Sequence, residues 1–496
     1  MKAKYQFPGG LLLADHKQQS SRIPIRSLAI SRQLILPLQQ HHGQPATPIV
    51  TVGDKVLKGQ CIAIANGLHS APIHAPTSGV IEAIASFLSP HPSGLSVPSI
   101  FLATDGDDTW RTRQPIADYR REAGDTLQQT IAQAGIVGLG GAGFPSHIKL
   151  NPEQMAKIQT VIINGVECEP YISCDDRLMQ ERAEHILTGA QIIRYILKPQ
   201  RLIIAIEDNK PDAIKAIQYA LSQQRAEKEI ELIIVPTRYP SGGEKQLIQI
   251  LTGQQVPQSG LPIDIGIIMH NVATTYAIAN AILEDKPLLS RIVTVTGPAI
   301  NHAANIEVLF GTPVKDVLAA FETTWQPGQS LIQGGPMMGH QLSDETVPII
   351  KTSNCLLVGT NTDQAHTEAQ PCIRCGECAT VCPANLLPQQ LYWYTRANDL
   401  DKAQQYHVAD CIECGCCNYV CPSQIPLVQH FKYAKTASQQ QQQEQQKANK
   451  ARLRHDNRQA RLTEEKQQKA RRQQQRKAAL AASKSPSNLP SSRPSS

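Results

Sequence analysis

Eight cysteines set the chemistry open to this sequence: Cys372, Cys375, Cys378 and Cys382, followed by Pro383, then Cys411, Cys414, Cys417 and Cys421, followed by Pro422. Three thiolates at two-residue intervals wrap three irons of a cubane, and the fourth, lying before a proline, reaches across to the neighbouring cluster. Cys372, Cys375, Cys378 and Cys421 are therefore assigned to one [4Fe–4S] cluster, and Cys411, Cys414, Cys417 and Cys382 to the other. Zinc also accepts two-residue cysteine spacing, but four ligands per ion need neither the third such interval nor the repeated proline. Cys416, beside Cys417, reads as a small non-ligand residue. Clusters of this kind exchange single electrons and perform no bond chemistry, so another part of the chain must supply the electrons.

Three polar stretches offer a place for that. Gly138-Leu-Gly-Gly-Ala-Gly-Phe-Pro145 leads into Ser146-His-Ile-Lys149, where backbone N–H groups at a predicted helix start would cradle a phosphate and Lys149 would add charge. A tight turn beside a sheet looks the same. Asn164-Gly-Val-Glu-Cys-Glu-Pro170 follows an apolar run, which places it at the carboxyl end of a strand, where ligands bind in open α/β sheets. Surface carboxylates are the plain alternative for Glu167 and Glu169. The third stretch is Tyr239-Pro-Ser-Gly-Gly-Glu-Lys245, again after a strand, with Met269-His-Asn-Val-Ala-Thr274 further on.

The elements that must position these residues are legible in outline. Thr160–Ile163, Leu202–Ile206 and Leu232–Val235 are apolar, β-branched runs of the kind that form buried parallel strands. Pro211–Gln223 between them has helical spacing with proline in the first turn, which gives a βαβ rhythm. Residues 50–84 read as short strands broken by turns at Val52-Gly-Asp54 and Pro76–Gly79, a small β-sandwich or barrel. Beyond Pro287, Ile292–Thr296 and a Gly/Pro-punctuated stretch to Leu357 predict a small mixed module.

At 496 residues the chain exceeds a single core, and three or four units are expected. It contains no run of about 18 apolar residues, and Met1–Lys17 lacks the features of a signal peptide. Of 13 cysteines, nine fall between Cys372 and Cys421, which argues for local metal binding in a reducing compartment over scattered disulfides. The formal charge of +6 is uneven: residues 436–496 hold 14 Lys/Arg against 4 Asp/Glu, leaving the remainder at −4. A net-negative body does not suit nucleic acid. The Gln/Lys/Ala-rich tail cannot bury a core; residues 439–482 favour a solvated helix, and the last Ser/Pro stretch is expected to be disordered.

In their order along the chain, the glycine loop, the Asn/Glu segment, the Tyr-to-Glu loop and the Asn-Val-x-Thr segment resemble the FMN-binding subunit of respiratory complex I. Ala71-Pro-Ile-His-Ala-Pro-Thr-Ser-Gly-Val-Ile81 resembles the half-motif of biotinyl and lipoyl carriers, without a lysine at the hairpin tip. With the paired four-cysteine runs, the arrangement over residues 1 to about 435 resembles the C subunit of the Rnf (Rsx) ion-translocating oxidoreductase complex. The resemblance implies a multidomain α/β and α+β chain: an N-terminal carrier-like β-sandwich domain (1–117), a Rossmann-like FMN/NADH domain (118–285), a β-grasp module (286–360), a helical two-[4Fe–4S] ferredoxin-like domain (361–435) and the basic tail (436–496).

Residue by residue, the resemblance points to Gly138, Gly140, Gly141, Lys149, Asn164, Glu167, Tyr239, Glu244, His270, Asn271 and Thr274 around non-covalent FMN, with Phe144 facing NADH. Leu139, Val166 and Gly243 depart from the complex I pattern, where an arginine and acidic residues stand. The implied role is a peripheral subunit of a translocase at the cytoplasmic face of a bacterial inner membrane. It would oxidise NADH and pass electrons to other subunits of the complex, with ferredoxin or a redox-sensing regulator as indirect acceptor. Two other roles compete: a flavin-less electron-transfer scaffold, and the diaphorase subunit of a soluble hydrogenase or dehydrogenase.

Overall fold

The sheet that organises the centre of the chain consists of four parallel strands, Thr160–Gly165, Arg201–Glu207, Glu231–Val235 and Ile267–Asn271. In this computed structural model, residues 4–151, 158–258, 260–326, 328–360 and 368–483 are described. Alternate side chains of each strand enter opposite cores, as the period of two requires. Ile162, Ile203, Ala205, Val235 and Met269 pack on Leu247, Ile248 and Leu251 of helix Glu244–Thr252. Val161, Ile163, Leu202, Ile204 and Ile206 face helices Ala183–Leu197, Pro211–Gln223 and Val272–Glu284. Burying each such side chain contributes about 1.5–3 kcal/mol, so both faces must be covered, and the continuous apolar runs in the sequence meet that need.

Strand order fixes where the chemistry sits. The chain lays Arg201–Glu207 and then Glu231–Val235 on one side of Thr160–Gly165, and returns to place Ile267–Asn271 on the other. The reversal opens a crevice between the carboxyl ends of Thr160–Gly165 and Ile267–Asn271, where Asn164 is in register with Asn271.

The N-terminal region is all β. One antiparallel sheet contains Gln33–Pro37, Ser96–Thr104, Gly79–Leu88 and Lys55–Val56, and a second contains Thr47–Pro48, Cys61–Ile64 and Ile73–His74. The carrier-like hairpin tip is not presented to solvent. Residues 75–79 are buried, and the hydroxyls of Thr77 and Ser78 donate to Asp108 (2.8 Å) and Asp105 (2.7 Å). Residues 4–30 run outside this sandwich: Leu11 pairs with Tyr239, and Arg26–Ser27 adds an edge strand beside Ala304–Leu309.

In the third module Ser290–Thr296 pairs antiparallel with Ala304–Leu309, helix Val314–Ala319 follows, and Cys355–Val358 returns parallel to Ser290–Thr296. Lys351, almost fully buried, joins three units by donating to the carbonyls of Pro72 (2.9 Å) and Gly135 (2.8 Å). The cysteine segment folds around short helices Glu377–Thr380, Pro388–Arg396, Leu400–Gln405 and Cys416–Tyr419.

A single helix, Leu427–Ala482, begins inside the cysteine domain, with Leu427, Val428, Phe431, Ala434 and Ser438 buried along one face, and continues exposed from residue 439. The final Ser/Pro stretch, residues 484–496, lies outside the described residues. Among the described residues no helix is long and apolar enough to cross a membrane.

Candidate functional site: a strand-end crevice beside two cysteine sets

Asn271 ends its strand and caps helix Val272–Glu284, its Oδ1 accepting the Ala273 N–H at 2.8 Å. One turn on, the Thr274 hydroxyl accepts the N–H of Leu139 (2.9 Å), which pins the glycine loop over the helix start. From the other side the buried Arg291 guanidinium donates to the Leu139 carbonyl at 3.2 Å and to the Lys351 carbonyl at 2.5 Å. The loop stays open above this anchor: Gly141 has φ +106°, and a Cβ there would meet nothing within 4 Å. Such a cradle, with backbone N–H groups at a helix start, has the shape and polarity for a phosphate.

Lys149 lies close by on Ser146–Lys149, a single turn rather than an extended helix. Its Nζ donates to Glu244 Oε1 (2.8 Å) and to the Met269 carbonyl (3.1 Å). His270 is fully buried, its Nε2 lacks a partner, and burial followed by the Lys149 charge lowers its pKa to about 3, so the ring is neutral. Asn164 donates to the Gly242 carbonyl (2.9 Å) and accepts the N–H of Val166 (2.9 Å). Gly138, Gly140, Gly141, Lys149, Asn164, Glu244, His270, Asn271 and Thr274 are thus gathered at one crevice. An open glycine loop, a lysine and an unpartnered ring nitrogen fit a planar cofactor carrying a phosphate.

Glu167 sits behind the crevice. Its carboxylate accepts the N–H groups of Asp175 (2.8 Å) and Asp176 (3.3 Å) at the start of helix Cys174–Glu181, a site favourable to negative charge. Burial, then the Glu167 charge, raises Asp175 to about pKa 7, while Asn271 Nδ2 donates to it at 2.6 Å. Phe144 turns toward the N-terminal domain, stacked on His42 at 6.3 Å between ring centroids and edge-on to His69 at 5.9 Å. Tyr239 is buried with its hydroxyl donating to the Cys414 carbonyl at 2.6 Å.

The Asn/Glu segment owes its shape to two lysines that carry no motif of their own. Lys17 Nζ donates to the carbonyls of Glu167 (2.7 Å), Glu169 (2.8 Å) and Ile172 (2.5 Å). Lys210 Nζ reaches the Glu167 carbonyl (3.3 Å) and pairs with buried Glu207 at 2.5 Å. Burial alone would lower Lys210, but Glu207 and Glu167 outweigh it and hold its pKa above the ordinary value. Glu169 is an anchor too: its Oε1 accepts the N–H groups of Met337 (2.7 Å) and Met338 (3.0 Å).

The structure brings together the cysteines assigned to each set. Cys372, Cys375, Cys378 and Cys421 line one cleft of about 400 Å³. Cys417 lies within electrostatic reach of Cys411, Cys414 and Cys382, and also of Cys378 from the neighbouring set. Burial pushes Cys411 up to about 12 and raises Cys378, Cys382 and Cys417, so a metal binding there displaces protons. Eight sulfur donors in two groups of four fit iron–sulfur cubanes, and Cys416, fully buried beside them, packs with Tyr239 and Val381.

Three family models match this chain: the RnfC barrel sandwich hybrid domain over residues 5–107, the Nuo51 FMN-binding domain over 131–280, and the 4Fe-4S dicluster domain over 371–425. Curated relatives that bear the name of the C subunit of an ion-translocating oxidoreductase complex align with nearly all of it. The protein from Yersinia pestis bv. Antiqua (strain Antiqua) is 47% identical over 92% of this chain and 73% of its own length. The chain belongs to the RnfC family of ion-translocating oxidoreductase complexes. Relatives from Pectobacterium carotovorum subsp. carotovorum and Pseudomonas aeruginosa are also 47% identical, over 92% and 93% of this chain. It spans about three fifths of the length of these two RnfC relatives, 61% and 59%. Among solved structures, an NAD+-reducing [NiFe]-hydrogenase in the H2-reduced state overlaps 61% of each chain with a TM-score of 0.43 and 17% identity.

Proposed function

We propose that this chain is the NADH-oxidising, electron-input subunit of a membrane-bound, ion-translocating complex of the Rnf type. The observation that carries the reading is the presence in one chain of the open strand-end crevice and two four-cysteine sets, one of which is joined to the crevice domain through Tyr239 and Cys414. FMN bound at such a crevice supplies the conversion from a two-electron hydride to single electrons, the form in which [4Fe–4S] clusters exchange them. Gly140 and Gly141 give the cofactor phosphate its backbone donors, Gly138 closes the loop by donating its N–H to the Phe144 carbonyl (2.8 Å), and Lys149 adds positive charge. Asn164, His270, Asn271 and Thr274 order the crevice floor, Glu244 orients Lys149, and Glu167 holds the Asn/Glu segment against its helix start. Phe144, at the loop's outer edge between His42 and His69, offers an aromatic face to the nicotinamide nucleotide.

Cys372, Cys375, Cys378 and Cys421 hold one cluster and Cys411, Cys414, Cys417 and Cys382 the other. Residues 286–360 are a β-grasp module, supported by a hairpin, a helix and a last strand parallel to the first. The chain works at the cytoplasmic face, attached through the other subunits of the complex, with ferredoxin or a redox-sensing regulator as the indirect acceptor. Anaerobically reconstituted chain is expected to bind FMN and to lose flavin absorbance when NADH is added. A preparation that takes up no FMN, or whose flavin stays oxidised under NADH, overturns the reading.

A further inference from the structure

The two cysteine sets are not held alike. Among the described residues, the polar ties from the flavin-type domain to the cysteine domain land on the segments of one set, the one drawn from Cys382, Cys411, Cys414 and Cys417. Tyr239 Oη donates to the Cys414 carbonyl, Lys245 pairs with Asp410 at 3.6 Å, and Gln258 bonds His407. The segment Phe7-Pro-Gly-Gly-Leu11 completes the fastening. Gly10 N–H donates to the Val381 carbonyl (2.9 Å), one residue before Cys382, and Leu11 exchanges hydrogen bonds with Tyr239 (2.7 and 2.9 Å). Arg238 donates to the Gly9 carbonyl and lies over the Phe7 ring at 5.3 Å. Space there admits only hydrogen: a Cβ on Gly9, at φ +64°, would lie 2.5 Å from the Val381 carbonyl oxygen and 2.7 Å from the Cys382 carbonyl carbon. By contrast Ile373 is 68% exposed and Cys375 is exposed on the lobe of the other set.

We infer that the Phe7–Leu11 strap and the Tyr239 hydroxyl are positioning elements for the Cys411/Cys414/Cys417/Cys382 set, seating it against the flavin-type domain while the Cys372/Cys375/Cys378/Cys421 set stands clear. The inference rests on the cluster assignment in the proposed function and needs neither NADH nor flavin. Tyr239 acts through the Cys414 carbonyl, where the hydroxyl dipole points its positive end at the ligand segment. Hydrogen bonds around a cluster tune its potential, and removing a donor leaves the reduced, more negative state less favoured.

The experiment is a dithionite redox titration, followed by electron paramagnetic resonance, of full-length anaerobically reconstituted chain in wild-type, Tyr239→Phe, Gly9→Ala and Cys375→Ser forms. Iron, sulfide and FMN are measured on each. Tyr239→Phe is expected to keep its iron and to move one of two midpoint potentials downward with the other fixed. The same shift is expected in the Cys375→Ser background, where only the signal of the strapped set remains. Gly9→Ala is expected to shift that signal further, or to lose it with about half the iron, while the other persists. Potentials unchanged in Tyr239→Phe, both shifted equally, or FMN lost with neither shifted would overturn the inference alone. Wild-type chain without acid-labile sulfide would overturn the cluster assignment and the inference with it.

Discussion

Two runs of cysteines with the same spacing meet opposite surroundings. The set completed by Cys382 is packed against Tyr239, Lys245 and the N-terminal strap, with Cys414, Cys416 and Cys417 buried. The set completed by Cys421 opens on a cleft beside exposed Ile373 and Cys375, with Cys378 alone of its four cysteines buried. Local spacing decides what the thiolates bind, whereas contacts from distant parts of the chain decide how firmly each set is embedded. Equal motifs therefore carry unequal structural consequences.

Substituting ligands breaks the comparison most severely. Cys411→Ser with Cys414→Ser is expected to remove about half the iron and to lower the melting temperature well below that of Cys375→Ser, which also loses one cluster but leaves the packed interface whole. Metal analysis and calorimetry check this, and equal melting temperatures would erase the distinction. Next in size is Lys149→Ala. Loss of a charged donor at the glycine loop costs about 1.5–3 kcal/mol, so FMN affinity should weaken roughly ten- to hundredfold with iron content unchanged. Flavin fluorescence titration measures it.

Gly189→Ala tests the helix pair beneath the crevice, because a Cβ there would lie 2.0 Å from the Thr275 carbonyl oxygen. Overpacking of this kind costs about 1–3 kcal/mol. Denaturant unfolding should show it, with an accompanying loss of FMN as Asn271 and Thr274 shift.

The Asp175 effect appears only as a dependence on pH. Its folded pKa of about 7 lies above the unfolded value, so the folded state holds a proton that the unfolded chain releases earlier. Stability from this group is present at low pH and is lost as pH rises from about 4 towards 7. Asp175→Asn should therefore leave stability unchanged near pH 4 and raise it at pH 8, read as a divergence of melting temperatures. The smallest effect is expected from deleting residues 439–496. The described part, residues 439–482, is exposed throughout, so the melting temperature of the remainder should stay within about 0.5 kcal/mol equivalent.

The two cysteine runs and the parallel strands were legible in the sequence because each is a local pattern. A cubane dictates its spacing, and a strand buried on both faces dictates an apolar run such as Thr160–Ile163. The crevice was half legible. Asn164, Lys149, Glu244, His270, Asn271 and Thr274 do converge, since strand ends and helix starts bring their residues together. Tyr239 shares a motif with Glu244, but its hydroxyl bonds a carbonyl 175 residues further along. Lys17 and Arg291 carried no local signal, because their partners are backbone carbonyls remote in sequence that any residue type could offer. At Leu139, a departure from the complex I pattern, the buried Arg291 guanidinium holds the loop carbonyl from the strand Ser290–Thr296.

The most direct test of the whole account is the spectrum of the full chain reconstituted with iron and sulfide without oxygen and reduced with dithionite. Two magnetically interacting [4Fe–4S] signals, with about eight iron and eight sulfide per chain, are the predicted result. Zinc in their place, without acid-labile sulfide, would contradict it.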